Sequence, residues 1–319
     1  MIGSDTTVHP SLLFLVGPTA AGKTALAIKL AKEFGAEIIS SDSVQVYREL
    51  IIGSARPSPT ELLEVRHHFV GHVSVADEYT AGTFEREALG LIGSNPNRSY
   101  IVCGGSGFYV QALMKGMYPI EKADVEIQTR IERRIDAEGL PAVYRELVAK
   151  DSEAAKTIAE QDRYRIVRAL EIMESQGGEK LSDIKRRFED ASRFRFPGRK
   201  VATLGLKIDR PSLEVRIEAR TARMLELGLL DEVKGLVDAG FSDRPALQSV
   251  GYRESLEHLK TPASLSDLRA SIVKGTMRLA KKQRTWFARD PNTFWVDVER
   301  ELDIASQFAF KFFTANTID

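Results

Sequence analysis

Leu12-Leu13-Phe14-Leu15-Val16 runs directly into Gly17-Pro18-Thr19-Ala20-Ala21-Gly22-Lys23-Thr24, a junction that sets the fold class. Five apolar residues stopped by glycine and proline read as a buried strand. The next eight satisfy G-x-x-x-x-G-K-[ST] at every specified position, the pattern of a P-loop. Thr24–Phe34 then carries Ala27, Leu30, Ala31 and Phe34 at helical spacing, with Gly35 just past the end. A Gly-rich loop between a strand and a helix presents backbone N–H groups to an anion at the positive end of the helix. Lys23 adds a point charge there, and the Thr24 hydroxyl is placed to hold Mg²⁺.

Beyond this segment, Glu37–Ser40 and Tyr100–Cys103 read as further strands, and a helix is expected from about Phe108. Strands alternating with helices predict a parallel sheet flanked by helices. From Asp124 to Gly198 the character changes to charged amphipathic helices over Ile127–Glu138, Pro141–Lys150, Ser152–Glu160 and Tyr164–Gln176. Val201–Leu206 and Phe294–Val296 return to strand-like patterns, and Asp297–Asp319 looks helical. The expected architecture is an α/β P-loop core built from residues 8–122 and 200–319, with residues 123–199 as an inserted helical domain.

The 319 residues suit two structural units, and 43% hydrophobic with 28% charged residues is ordinary globular usage. Lysine plus arginine (45) equals aspartate plus glutamate (45), so a nucleic-acid site would have to come from local clustering. Cys103 is the single cysteine, which excludes a disulfide framework and a thiolate-rich zinc site and predicts a buried small hydrophobe. The apolar run Leu12–Val16 is too short for a signal-peptide core, and nothing approaches the length of a membrane helix. A cytoplasmic protein with no membrane partner is expected.

The strand Tyr100–Cys103 does not end on the metal-holding aspartate common beside P-loops. It runs into Gly104-Gly105-Ser106-Gly107-Phe108-Tyr109, a second source of backbone N–H groups and a hydroxyl. The early carboxylate is Asp42 in Ser40-Ser41-Asp42-Ser43, past the second strand, where a parallel sheet faces its ligand. Asp42 can serve as a general base there, or simply cap a turn. Arg216, Arg220 and Arg223 share one helix face, Arg223 reading as solvated. Lys281, Lys282, Arg284 and Arg289 flank Trp286 and Phe287, suiting phosphate contact and base stacking or else an amphipathic helix with core aromatics. A second basic cluster, Arg186, Arg187, Arg193, Arg195, Arg199 and Lys200 around Phe188, Phe194 and Phe196, is diluted by Glu189 and Asp190 and reads as a loop. His67-His68 are adjacent, point apart on a regular element, and do not read as a zinc pair.

Taken together these segments resemble the tRNA dimethylallyltransferases (tRNA isopentenyltransferases). The resemblance rests on Gly17–Thr24, Ser40–Ser43 with Tyr47, Ile52–Pro57, His67-His68 and Gly104–Tyr109. It continues through Arg165–Glu171, Arg216–Arg220 with Met224-Leu225, Val250–Arg253 and Leu279–Phe287, in the family's order across roughly residues 12 to 296. It implies transfer of a dimethylallyl group from dimethylallyl diphosphate to the exocyclic amine of the tRNA adenosine immediately 3′ of the anticodon. It further implies Asp42 as general base, with Ser106, Arg220 and the P-loop residues Gly17, Pro18, Thr19, Ala20, Ala21, Gly22, Lys23 and Thr24 on the diphosphate, and Mg²⁺ at Thr24. The anticodon stem-loop is implied at Asp42, Ser43, Val44, Gln45, Tyr164, Arg165, Arg168, Gln248, Gly251, Tyr252, Arg253, Lys281, Lys282, Gln283 and Arg284. Ser106 stands where threonine is usual, and Val125 and Gln128 replace a more typical proline and arginine. A monomer is expected.

Two other enzymes share parts of this pattern. A free-adenylate isopentenyltransferase has the same core motifs but less need of a helical insertion and a basic C-terminal segment. A P-loop kinase or NTPase would want the aspartate that is missing after Tyr100–Cys103. An RNA-binding module with a vestigial P-loop is disfavoured by the intact Lys23, Thr24 and Asp42.

Overall fold

The computed structural model describes residues 10–117, 124–191, 195–261 and 263–315. Contacts divide the chain into two compact units, residues 1–113 with 196–319, and residues 114–195.

The first unit is built on β1 (Ser11–Val16), whose six residues are all buried, as befits a parallel strand covered on both faces. It leads through the P-loop into α1 (Lys23–Phe34), then β2 (Glu37–Ser40), α2 (Pro59–Glu64), β3 (His67–His68), α3 (Ala81–Ser94), β4 (Tyr100–Cys103) and α4 (Gly107–Lys115). Chain order through the second unit is α5 (Val125–Glu138), α6 (Leu140–Lys150), α7 (Ser152–Ala155), α8 (Arg163–Ser175) and α9 (Leu181–Ala191). The first unit resumes with β5 (Lys200–Lys207), α10 (Arg210–Glu226), α11 (Leu229–Asp238), α12 (Tyr252–Lys260), α13 (Leu265–Phe287), β6 (Thr293–Asp297) and α14 (Leu302–Thr314). Among the described residues no helix is long and apolar enough to cross a membrane.

The six strands form one parallel sheet in the order β3-β2-β4-β1-β5-β6. The chain leaves β1 towards β2 and β3, returns to β4 beside β1, and later adds β5 on the other side. The strand order therefore switches direction around β1, and the crevice at the carboxyl ends of such strands is where ligands bind in open α/β sheets. The expected α/β P-loop core is present. β3 escapes prediction because two residues carry no periodicity. Its partner is Ile38-Ile39 of β2, and His68 Nε2 lies 2.7 Å from Glu37 Oε2.

Leu13, Leu15, Ala27, Leu30, Ile101, Leu204, Ile217 and Phe313 meet in one core. Each such leucine, isoleucine or phenylalanine side chain contributes about 1.5–3 kcal/mol by leaving water. α14 belongs to this core: Phe313 stacks on Phe34 at 4.7 Å, and Lys200 donates to the carbonyls of Phe312 (2.7 Å) and Ala315 (2.8 Å). Arg199 does the same for α3, donating to the carbonyls of Ile92, Asn95 and Arg98. These two cations, read from sequence as part of a basic loop, are buried helix caps. The start of that stretch is helical, since α9 runs to Ala191. Arg186 pairs with Glu153 and Asp183, and Arg187 with Glu179. Arg193, Phe194 and the side chain of Phe188 lie outside the described residues.

In the second unit Ile131, Ile135, Val143, Leu147, Ile166 and Leu170 form a separate core. Asp124 caps α5, and Asp162 caps α8. The helix expected over Ser152–Glu160 stops at Ala155. Its carbonyls are drawn off: Tyr144 donates its hydroxyl to Ala155 O (3.2 Å) and Ile158 O (3.3 Å), while Thr157 and Ile158 close tighter i→i+3 turns.

Candidate active site

The P-loop is shaped by backbone conformations that favour glycine. Gly17 has φ 143° and Gly22 φ 89°, and a Cβ on Gly17 would fall 2.6 Å from the Leu206 carbonyl. Ala20 is held at φ 62°, a left-handed conformation that costs a non-glycine residue about 1–3 kcal/mol. Lys23 curls back to donate to the carbonyls of Gly17 (3.0 Å) and Pro18 (2.7 Å). Burial pulls its pKa down to about 8, with Arg220 acting in the same direction and Asp42 opposing. The first turn of α1 leaves its leading N–H groups without helical partners, so the loop is an anion cradle backed by one ammonium.

Thr19 is fixed from two sides. Its N–H donates to Gln283 Oε1 on α13 (2.8 Å), and its hydroxyl accepts from Arg220 Nη1 on α10 (3.1 Å). Gln283 also donates from Nε2 to the Gly105 carbonyl (3.0 Å), tying the P-loop to the second glycine-rich loop. A Cβ on Gly105 would lie 2.3 Å from that amide nitrogen, so a larger residue there would displace the Gln283 side chain from its bridge. Desolvation lowers the pKa of Arg220, so an arriving anion meets a poorly hydrated cation.

Asp42 follows β2, and its Oδ1 accepts the N–H groups of Val44 (2.9 Å) and Gln45 (3.2 Å). Among the described residues Oδ2 accepts no hydrogen bond. Gly104 packs against Ser41 with no room for a Cβ, which would lie 2.2 Å from the Ser41 carbonyl. That approach brings Ser106 beside the Asp42 turn. Ser106 Oγ accepts from Ser43 N (2.9 Å) and donates to Ser43 Oγ (3.0 Å).

Two cavities meet at these groups. One, about 360 Å³, is lined by Thr24, Gln45, His67 and Arg216. The other, about 100 Å³, is lined by Gly53, Ile217, Met224, Ile272 and Leu279. Thr19, Lys23, Asp42, Gly105 and Arg220 border both. The fold thus brings together a larger chamber and a smaller one that share Lys23 and Arg220, with Asp42 the one carboxylate bordering both. The smaller has an apolar wall of Ile217, Met224, Ile272 and Leu279 beside polar Thr221, Thr276 and Gln283. A wider groove of about 890 Å³ between α10 and α13 opens beside Pro18, but it carries neither Lys23 nor Asp42 and is not the centre of this chemistry.

Other residues singled out from sequence are distributed differently. Tyr252 is fully buried and donates its hydroxyl to Glu232 (2.6 Å); the Gly251 N–H donates to Glu254 (2.7 Å). Arg253 pairs with Glu254, while Gln248 is exposed at the end of a 3-10 turn. Tyr164, Arg165 and Arg168 belong to the second unit. Tyr164 is exposed, Arg165 pairs with Asp162, and Arg168 bonds buried Glu171, which also accepts from Gln128 Nε2 (2.7 Å). Lys281, Lys282 and Arg284 are exposed and, among the described residues, form no ion pair. Phe287 is buried in the core, whereas Trp286 packs between Gly107, Phe108 (5.2 Å) and Arg289 (5.6 Å). Arg216 pairs with Glu299 and Arg223 with Glu226 at the surface. Cys103 is buried and its thiol pKa is pushed up to about 11. The bridging role of Gln283 and the presence of Glu232 near the site carry no local sequence signal, since both depend on contacts far apart in the chain.

The family model for IPP transferase matches residues 45–290. A tRNA dimethylallyltransferase from Bdellovibrio bacteriovorus is 41% identical over 289 residues, covering 90% of this chain and 92% of that protein. One from Geobacter sulfurreducens is 36% identical over 315 residues, covering 98% and 100%. Among solved structures, a full-length tRNA isopentenylpyrophosphate transferase from Bacillus halodurans superposes with TM-score 0.67 at 30% identity, covering 95% of this chain and 96% of that one. A eukaryotic dimethylallyltransferase acting on tRNA gives TM-score 0.78 at 26% identity, covering 94% and 78%.

Proposed function

The chain belongs to the IPP transferase family, and we propose that it transfers the dimethylallyl group of dimethylallyl diphosphate to the exocyclic amine of the tRNA adenosine immediately 3′ of the anticodon. The observation that carries this reading is the convergence of Lys23, Arg220 and Asp42 where a larger chamber meets a smaller one walled on one side by Ile217, Met224, Ile272 and Leu279. The diphosphate lies against the first-turn N–H groups of α1, Lys23, Arg220 and Ser106. The C–O bond to the diphosphate breaks, and its electron pair stays with that leaving group. The amine nitrogen forms the new C–N bond and gives its proton to Asp42. An aromatic amine is a weak nucleophile, so removal of the proton as the bond forms lowers the barrier. Preorganised donors aimed at the departing diphosphate supply the larger electrostatic share.

The donor set fits a Mg²⁺ ion held largely by substrate. Mg²⁺ at a diphosphate keeps several waters and needs few protein ligands. Thr24 lines the larger chamber, and among the described residues no cluster of three or more acidic, histidine or cysteine side chains forms an all-protein cage. Thr24 would hold the ion, which would add charge neutralisation on the diphosphate oxygens.

The reading is tested by single-turnover transfer of labelled dimethylallyl diphosphate with Mg²⁺, offering unmodified tRNA and AMP in parallel. Label is expected in tRNA alone. Label in AMP alone would make this a free-nucleotide enzyme, and ATP hydrolysis without prenyl transfer would assign the P-loop to a nucleotide.

The exposed cations of α13 give a second expectation. Replacing Lys281 and Lys282 with alanine should weaken tRNA binding and reduce the slope of log affinity against log salt by about 1–2, the loss of one or two phosphate contacts. An unaltered slope in a salt titration would assign both lysines to a solvated face.

A further inference from the structure

Glu232 on α11 lies outside every motif of the site, yet its carboxylate accepts four hydrogen bonds. Oε2 takes the N–H groups of Ile51 (3.1 Å) and Ile52 (2.8 Å). Oε1 takes the N–H of Gly53 (3.2 Å) and the hydroxyl of Tyr252 (2.6 Å). Three successive backbone donors form an anion-binding concavity, and here the anion is a side chain of the protein itself. Gly53 is pressed so closely onto Tyr252 that a Cβ would lie 2.6 Å from the ring. The segment is thus held from one side by charge and from the other by shape.

The segment passes this constraint towards the site. The Ser54 hydroxyl donates to Leu50 O (2.7 Å), and the carbonyls of Ser54 and Ala55 accept from Gln45 Nε2 at 3.3 and 3.2 Å. Gln45 in turn donates its backbone N–H to Asp42 Oδ1 (3.2 Å). We propose that Glu232 is a positioning residue for Asp42, acting through the 51–55 segment and the Gln45 side chain. The proposal rests on the reading of Asp42 as the general base. Gln45 and Ala55 line the larger chamber, but no link of this chain passes through the P-loop or bonds Lys23 or Arg220, so Glu232 bears on the geometry of proton transfer more than on diphosphate binding.

The test is steady-state kinetics of the full chain with dimethylallyl diphosphate and tRNA. Glu232→Gln replaces one acceptor oxygen by an NH₂ group facing the same N–H donors. It is expected to lower kcat by about 10- to 100-fold, the scale on which small misplacements act. KM for the donor should stay within about twofold. Gln45→Ala should have the same signature, and the double variant should be no worse than about threefold below the poorer single one, as expected for residues acting in series. A kcat within about twofold of the parent, additive losses, or a donor KM that rises in step with the fall in kcat would each overturn the proposal. Should Glu232→Gln fail to fold, Tyr252→Phe decides. It keeps the ring under Gly53 and removes one bond to Oε1, so a severalfold fall in kcat at constant donor KM supports the relay and an unchanged kcat overturns it. Asp42→Asn is measured alongside. Near-normal turnover there would overturn the base itself, whereas an inactive Asp42→Asn beside a fully active Glu232→Gln would overturn the relay alone.

Discussion

Asp42→Asn is expected to lower the single-turnover rate of prenyl transfer by about 10²–10⁴-fold, the range associated with a positioned acid or base. The substitution is nearly isosteric, and an asparagine Oδ1 can still accept the N–H groups of Val44 and Gln45, so the turn after β2 keeps its shape. What disappears is the basic oxygen at the junction of the two chambers. Donor binding should not suffer. Asp42 places a negative charge beside Lys23 and Arg220, and its neutralisation removes a repulsion on the incoming diphosphate, which offsets the lost support for the Lys23 proton. Equilibrium binding is therefore expected to show a donor affinity equal to or tighter than that of the parent, and tRNA affinity within a few fold. A transfer rate within about threefold of the parent would remove Asp42 as the base and leave it a turn-capping residue.

How much of this was legible in the sequence depends on how local each cause is. The P-loop is local: strand, glycines, lysine and threonine sit within thirteen consecutive residues, and the left-handed φ of Gly22 is a property of that turn. The strands β1, β2 and β4 follow from short apolar runs, and their parallel pairing from the helices between them. Position past a strand already marks Asp42 and the Ser106 hydroxyl as candidates, and family resemblance joins them with Arg220 in one site, which no periodicity would have done. Failures occur where a long-range partner decides. Arg199 and Lys200 look like surface cations until the carbonyl ends of α3 and α14 arrive to accept from them. The helix after Asp151 looks long until Tyr144 pulls its carbonyls outward. Gln283 is named by resemblance as an RNA contact, yet its amide ties the P-loop to Gly105 across 178 residues of sequence. Glu232 belongs to no motif in sequence, and only the three N–H groups pointing at it give it a part near the site.

Lys23→Ala is expected to weaken donor binding by about 100-fold or more. Hydrogen bonds to charged groups contribute about 1.5–3 kcal/mol each, and 1.4 kcal/mol is a factor of ten. Part of that loss arises in the loop, because the ammonium also accepts the task of holding Gly17 O and Pro18 O. The pH dependence separates the two contributions. Free Lys23 titrates at about 8 instead of 10.5, and a bound diphosphate raises that value again. Donor affinity of the parent should therefore be level below about pH 8 and fall by up to tenfold per unit above it, as each binding event comes to need a proton from solvent. Stability of the donor-free protein runs the other way. Between about 8 and 10.5 the unfolded chain holds the Lys23 proton that the folded chain has lost, so this group's contribution to stability rises with pH across that window. Lys23→Ala should abolish both trends attributable to the ammonium and leave a pH-independent, weak donor site. Binding isotherms and melting curves taken from pH 7 to 10 on parent and variant decide the matter. If donor affinity in Lys23→Ala equals that of the parent at pH 7, the ammonium serves the loop alone and the diphosphate is held by the α1 amides and Arg220.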